Sequence, residues 1–281
     1  MGMRLSLAVL PCVLALLMHR PVAQAQPMPA PAAEEVPFIT TPDQVTREML
    51  RIAEVGPADH VIDLGSGDGR IVIAAAREFG ATGLGVEIVP ALVRKSIANA
   101  QAAGVAARAR FVEQDIFKTD LSAATVVTMY LLDEVNLQLR PQLLQLAPGT
   151  RIVSHDWDMR DWYPDRTVVV SVPDKAVGRE RSSRVHLWRV PAPVDGLWCA
   201  GASRLRIVQR FQDYEANLQT TAGVAAIEWR GRISAAAITA PAGSPVLRFK
   251  DGALIVDAPA AGLAAGVRFV RMQDGRCAAN E

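Results

Sequence analysis

Three glycines at alternate positions, Gly65, Gly67 and Gly69, separate an apolar run ending at Asp63-Leu64 from a second one beginning at Ile71. Glycine lacks a Cβ and tolerates positive φ, so the backbone of such a turn can lie directly against a ligand. A strand before the turn and a helix after it would aim the unpaired N–H groups of the helix's first turn at that ligand. Two carboxylates flank the arrangement. Asp63 precedes the first glycine, and Glu87 ends the next apolar run, Gly83-Leu84-Gly85-Val86. An acid at the end of a second parallel strand can accept hydrogen bonds from both hydroxyls of a ribose. The dinucleotide fingerprint needs glycine or alanine where Arg70 stands, so a dinucleotide does not fit. The plain alternative, a tight turn joining strand to helix, leaves Glu87 unexplained.

An acid followed by Gly-x-Gly-x-Gly resembles motif I of class I S-adenosylmethionine-dependent methyltransferases. Methyltransferases of that class commonly place an acid near the adenine amino group after the third strand, with an apolar neighbour against the ring. Asp115 and Ile116 stand there; Asp115 as an ordinary loop acid is the alternative. Over Asp63 to Glu78, Asp-Leu-Gly-Ser-Gly-Asp-Gly-Arg-Ile-Val-Ile-Ala-Ala-Ala-Arg-Glu, the chain looks like the protein-lysine methyltransferase family that includes the ATP synthase c-subunit lysine methyltransferase. Trp162-x-Pro164-Asp165 also resembles that family, and the likeness runs from about Pro37 to Asp165. It implies an S-adenosylmethionine site at Asp63, Gly65, Ser66, Gly67, Asp68, Gly69, Glu87, Ile88, Asp115 and Ile116. It also implies lysine as an acceptor.

Methyl transfer asks for an aligned nucleophile more than for reactive side chains. A lysine acceptor must lose its proton, which a partly desolvated pocket favours. Tyr130, Asp133, His155, Asp156 and Trp157 are expected at the carboxyl ends of the fourth and fifth strands, the active rim of a parallel sheet. Of these, Tyr130, Asp156 and Trp157 are the candidate catalytic residues. Aromatic rings can surround an ammonium group, and a carboxylate can orient it. Tyr130 and Trp157 can equally be packing residues. His155 is either a base or, as is commoner for a lone histidine at a strand end, structural. Phe38 is placed to form a lid. No His, Cys and Asp cluster has metal-ligand spacing, so no metal is expected.

The elements that would position these groups follow from periodicity. Thr41-Pro42-Asp43-Gln44 reads as a capping box opening a first helix that ends at Gly56-Pro57. Strands are expected at His60 to Leu64, Thr82 to Ile88, Arg110 to Glu113, Thr125 to Tyr130 and Arg151 to Ser154. The helices between them run from Arg70 to Phe79, Pro90 to about Ala103, and about Val135 to Leu146. Two more strands, Thr167 to Val172 and Val185 to Val190, suggest an antiparallel edge hairpin. The fold class is α/β, a Rossmann-like doubly wound sheet over residues 37–190. From Pro191 helical periodicity stops and short alternating runs begin. Residues 191–281 read as a separate antiparallel β domain, a small barrel or sandwich. Leu205 and Ile207 change inward phase relative to Tyr214, Ala216 and Leu218, so a bulge or bend is expected near Phe211. Asp251-Gly252 is a hairpin turn signal.

Arg4, the apolar run Leu5 to Met18 and Ala23-Gln24-Ala25 form a signal peptide over residues 1–25, with a flexible leader over 26–36. An uncleaved anchor is the alternative; the run is too short to span a bilayer. The expected location is periplasmic or secreted. Two cysteines remain, Cys199 and Cys277, and export permits a disulfide between them, with free thiols as the alternative. A bridge would contribute about 4–5 kcal/mol in the chain-entropy model. Export stands in tension with a cofactor made in the cytoplasm. A formal net charge of +1 spread along 281 residues argues against broad nucleic-acid binding. The leading reading is an exported methyltransferase acting on an amine, either a protein lysine or a small molecule. The non-enzymatic alternative is a cofactor-binding remnant whose β domain binds an envelope partner.

Overall fold

A computed structural model describes residues 39–176, 178, 180–220, 226–272 and 277. The expected signal peptide, the leader and Phe38 lie outside the described residues.

The first part is a seven-stranded sheet. Its strands are β1 (His60–Leu64), β2 (Thr82–Glu87), β3 (Ala109–Glu113), β4 (Val126–Met129), β5 (Arg151–His155), β6 (Arg166–Ser171) and β7 (Ser182–Arg189). The order is β3-β2-β1-β4-β5-β7-β6. β1 to β5 run parallel, and β7 lies antiparallel between β5 and β6. The order reverses between β1 and β4, which puts the crevice of a doubly wound sheet at the carboxyl end of β1. Helices α1 (Asp43–Ile52), α2 (Arg70–Glu78), α3 (Pro90–Ala102) and α4 (Asp133–Leu143) cover the faces. Successive strand residues point to opposite faces, so both faces are apolar. Val61, Val126, Val153 and Leu187 pack under α1 and α2. Ile62, Leu64, Val127, Met129 and Ile152 pack with Leu139 and Leu143 of α4, and with Met159, Trp162 and Trp188.

The second part is a closed eight-stranded antiparallel barrel, not a sandwich. Its strands are β8 (Gly196–Ala200), β9 (Ser203–Arg210), β10 (Asp213–Gln219), β11 (Ile227–Ser234), β12 (Ala237–Thr239), β13 (Val246–Lys250), β14 (Ala253–Ala258) and β15 (Arg268–Met272). β15 pairs with β8 and closes the ring, which removes the exposed edges. Trp198, Leu205, Ile207, Trp229, Leu254 and Phe269 fill the interior. Cys199 and Cys277 are disulfide-bonded, with Cα atoms 5.6 Å apart.

Three expectations are corrected. Thr41 does not cap α1: the helix begins at Asp43 with no side-chain cap, and the Thr41 hydroxyl lies 3.2 Å from Nδ1 of His155. Of the bulge or bend expected near Phe211, the structure has a chain-reversing turn and no bulge. Phe211 and Gln212 are the two turn residues of the β9–β10 hairpin, and Leu205 pairs Leu218 while Ile207 pairs Ala216. Opposite residues in an antiparallel hairpin share a face. The phase change was therefore the register of an uninterrupted hairpin. The fourth helix starts at Asp133 and ends at Leu143, carrying Pro141 in its last turn.

Candidate functional site

β1 delivers Asp63 into the sheet and then releases the chain into Gly65-Ser66-Gly67-Asp68-Gly69. Gly65, Gly67 and Gly69 have φ of 74°, 54° and 82°, the left-handed region that L side chains avoid. The N–H groups of Gly65 and Ser66 both donate to Val86 O at 2.9 Å, which ties the loop to β2. Gly69 is additionally hemmed in, since a Cβ there would lie 2.6 Å from the Phe111 ring and 2.7 Å from Ser96.

The loop surrounds buried negative charge. Asp63 is 2% exposed and accepts a hydrogen bond from Thr128 Oγ1 at 2.7 Å. Burial pushes its carboxyl up to about 7; Thr128 opposes that shift, while Glu87 and Asp68 add to it. Glu87 Oε2 accepts from Gly67 N at 3.0 Å, and Oε1 accepts from Ile88 N at 2.9 Å and Val89 N at 3.0 Å. Oε1 is thereby saturated, while Oε2 keeps a second lone pair available for a ligand hydroxyl. The Ser66 hydroxyl is buried and has no partner. A buried polar group without a partner costs free energy unless a ligand or water meets it. These groups suit a nucleoside carrying positive charge.

A hollow of about 50 Å³ faces the loop, lined by Ile39, Thr40, Thr41, Asp63, Gly65, Ser66, Gly67, Asp68, Arg70, Ile71 and Tyr130. Ligand pockets start near 300 Å³, so this is only the roofed end of the crevice. Residues 39–41 form the roof. Arg70 Nη1 donates to Thr41 O at 2.8 Å while its other nitrogens grip Asp68, whose carboxyl is held below the usual range against burial. A larger recess of about 410 Å³ lies between α1, α2 and α3. Its charges are paired with one another, Arg47 and Arg77 with Glu78 and Arg70 with Asp68. It shares only Asp68 and Arg70 with the hollow.

The expected cofactor residues fall in two groups. Asp63, Gly65, Ser66, Gly67 and Asp68 line the hollow. Gly69 ends the loop as the residue before α2, and Glu87 grips it from β2. Ile88, 65% exposed, follows Glu87. Asp115 and Ile116 follow β3, where the Asp115 carboxylate accepts from Phe117 N at 2.9 Å and caps a short 3-10 turn.

The three acceptor-side candidates do not converge. Tyr130 lines the hollow and its ring lies 3.9 Å from that of His155. Burial, then the charge of Asp156, raises its phenol, which stays protonated. Asp156 turns toward the antiparallel hairpin instead, accepting from Arg184 N at 2.8 Å and pairing with Lys175 at 2.7 Å. The Trp157 side chain is 40% exposed and outside the hollow. His155 is buried, with Nε2 2.9 Å from Ser183 Oγ. Burial lowers it to about 4, against the pull of Asp156, so it is neutral.

Thr128 and Asn136 went unremarked in the sequence, and Thr41 and Arg70 were read there only as helix-start residues. Thr128, Thr41 and Arg70 touch the hollow or its carboxylate. Asn136, fully buried on α4, donates to Ser154 Oγ and Trp157 O, both at 3.2 Å. Only Arg70 carried a local signal, as the residue opening α2. Among the described residues no cluster of His, Cys, Asp or Glu could hold a metal, and no helix is long and apolar enough to cross a membrane.

The reversed strand order, the glycine loop and the two carboxylates define a class I methyltransferase crevice. Residues 63–166 match the family described as the ANTKMT methyltransferase domain. A protein-lysine N-methyltransferase of Saccharolobus islandicus (strain REY15A) is 47% identical over 137 residues, 48% of this chain and 85% of that protein. The ATP synthase c-subunit lysine N-methyltransferase of Mus musculus is 35% identical over 150 residues, 52% of this chain and 59% of that protein. The crystal structure of an RNA methyltransferase from Salinibacter ruber, in complex with S-adenosyl-L-homocysteine, is 49% identical. It superposes with a TM-score of 0.51 over 56% of this chain and 96% of that one. The chain belongs to the ANTKMT-type family of S-adenosylmethionine-dependent methyltransferases. S-adenosylmethionine is its cofactor, and the barrel lies beyond the residues that the family matches.

Proposed function

We propose that this enzyme methylates the side-chain amine of a protein lysine, and that it does so outside the cytoplasm. The observation that carries the lysine reading is the 47% identity to a protein-lysine N-methyltransferase, of which this chain covers 85%. The rim chemistry agrees. Asp156, although paired with Lys175, acts through its charge on Tyr130, and the Tyr130 and Trp157 rings offer aromatic faces to a cationic acceptor.

Asp63, the Gly65–Gly69 loop, Ser66 and Glu87 would hold the cofactor, with Ile88, Asp115 and Ile116 toward its base. When bound, S-adenosylmethionine supplies a methyl group already activated by its sulfonium. The chain's own part is to orient the acceptor and exclude water. Tyr130 is a neutral phenol, and neutral His155 is committed to Thr41 and Ser183. Neither is a free base. The ammonium group therefore releases its proton to bulk water as desolvation at the rim favours the neutral amine, with Tyr130 as its contact. Asp156 serves to hold the strand ends, and Trp157 offers an exposed aromatic face.

The test is incubation of the protein with labelled-methyl cofactor and either poly-lysine or an envelope protein fraction, followed by mass spectrometry. Methylated lysine is expected. Label confined to small molecules would overturn the lysine assignment. A second reading, RNA as acceptor, is favoured by the description of the Salinibacter ruber structure. A net charge of +1 speaks against it, and labelled RNA in the same incubation would establish it.

Export is supported by the apolar run and small-residue site before residue 26, and by the Cys199–Cys277 pair, since disulfides persist in oxidising compartments. Fractionation of cells expressing the full chain tests it, and a cytoplasmic protein with free thiols would refute it.

A further inference from the structure

The segment after β5 connects the acceptor rim to the barrel. Asp156 turns the chain with φ of 62°. Asn136 holds the carbonyls of Trp157 and Asp158 at 3.2 and 3.4 Å, and Arg160 reaches back to Asp133 at 2.9 Å. Met159 and Trp162 then bury completely.

The β9–β10 hairpin meets this segment from the barrel. The Phe211 ring stacks on Trp162, with centroids 5.8 Å apart and planes 15° apart. The Arg140 guanidinium lies 5.3 Å from the Phe211 ring centroid and also donates to Met159 O at 3.1 Å. Gln212, itself buried, donates to Tyr163 O at 2.7 Å. Asp161 pairs with Arg140 at 2.5 Å and Arg210 at 3.3 Å, and Asp165 pairs with Arg232 at 3.0 Å. Apart from Arg140 on α4, these contacts fall on one short loop of the methyltransferase part. Phe211 adopts φ of 54°, a conformation that costs a bulky residue and persists where surroundings over-determine it. Glycine would serve the turn better; the ring is what the position retains.

We infer that the barrel is a positioning element of the methyltransferase site: its Phe211–Gln212 hairpin tip braces the loop 157–165 and thereby sets the geometry offered to the acceptor. The inference rests on the reading that the acceptor approaches over the ends of β4 and β5. Phe211 and Gln212 are positioning residues, acting through Trp162 and the Tyr163 carbonyl.

The test uses the full chain carrying Phe211→Gly, Phe211→Ala or Phe211→Trp. Phe211→Gly relieves the turn while removing the ring, so it separates bracing from folding. For Phe211→Gly and Phe211→Ala, backbone hydrogen exchange over residues 157–165 is expected to accelerate about tenfold. The KM for poly-lysine is expected to rise roughly tenfold, with cofactor affinity unchanged. Phe211→Trp should restore both. Unchanged exchange and KM in all three variants overturn the inference, as does a parallel loss of cofactor affinity. If the unaltered protein methylates neither poly-lysine nor an envelope protein fraction, the lysine reading fails, and the exchange measurement still decides the bracing.

Discussion

The crevice and the barrel solve the burial of polar groups in opposite ways. In the barrel, Tyr214 donates to Thr239 O at 2.9 Å and accepts from Trp229 Nε1 at 3.0 Å, and Trp198 Nε1 donates to Val194 O at 2.8 Å. Every buried side-chain polar atom there has a partner among the described residues. In the methyltransferase part, Ser66 Oγ is left alone in a loop that follows Asp63, a carboxyl whose pKa burial has moved to about 7. Thr46, Asn136 and Trp162 also carry unpartnered atoms, all in that same part. A finished interior is built for stability; an unfinished one is built to be completed by something else. Of these atoms only Ser66 Oγ belongs to a residue that lines the hollow, so the contrast bears on the glycine loop in particular.

The contrast can be broken most forcefully at the two carboxylates. Asp63→Ala combined with Glu87→Ala should weaken S-adenosylmethionine binding by about a hundredfold or more, as expected when charged partners of a ligand are removed. Calorimetry measures it, and a loss below about threefold would mean the crevice does not hold the cofactor this way. Next comes Trp198→Ala, which should destabilise the protein by about 3–5 kcal/mol in urea unfolding. It should leave cofactor affinity of the folded protein unchanged, because the barrel interior is not part of the crevice.

Ser66→Ala sharpens the comparison. Removing a buried hydroxyl without a partner should leave the ligand-free protein equally stable or up to about 1 kcal/mol more stable. Cofactor affinity should nonetheless fall several-fold. The same deletion in the barrel, Tyr214→Phe, should instead cost about 1 kcal/mol.

Smaller effects follow from titration. Positive charge on a ligand favours ionised Asp63, so S-adenosylmethionine affinity should decline as pH falls through about 7. Without ligand the sign is different: the folded protein holds a proton on Asp63 that the unfolded chain has released above its ordinary 3.8. That contribution to stability therefore falls as pH rises from about 4 to 7. His155 works oppositely. Its folded value of about 4 lies below 6.5, so the unfolded chain binds the extra proton and stability is lost as pH drops through that window. His155→Asn should flatten the acid side of a melting-temperature profile between pH 4 and 6.5. An unchanged profile would show that His155 charges freely in the folded protein.

Much of the fold was legible because it rests on local rules. The strand–glycine loop–helix unit, Glu87 on the next strand and the antiparallel hairpin all follow from periodicity and turn chemistry. The failures share one cause. Thr41 looked like a helix cap because its neighbours fit a capping box, yet its hydroxyl is drawn to His155, 114 positions away. Asp156 and Trp157 were placed correctly at the end of β5, but a left-handed residue at Asp156 sends the carboxylate to Lys175 and Arg184. The phase change around Phe211 was read as a bulge or bend because alternation alone does not distinguish a bulge from a two-residue turn.

What the sequence determined by itself is the chemistry that glycine and carboxylate impose at short range: a backbone bare enough for a ligand, with acids at fixed steps from it. Side chains meeting across the sheet, the partner of Asp63 in Thr128, the clasp of Asn136 on the rim and the bracing by Phe211 were decided only by tertiary structure. The reason is physical. Local conformation depends on steric limits within a few residues, whereas each of those contacts joins segments whose proximity exists only after the sheet and barrel have closed.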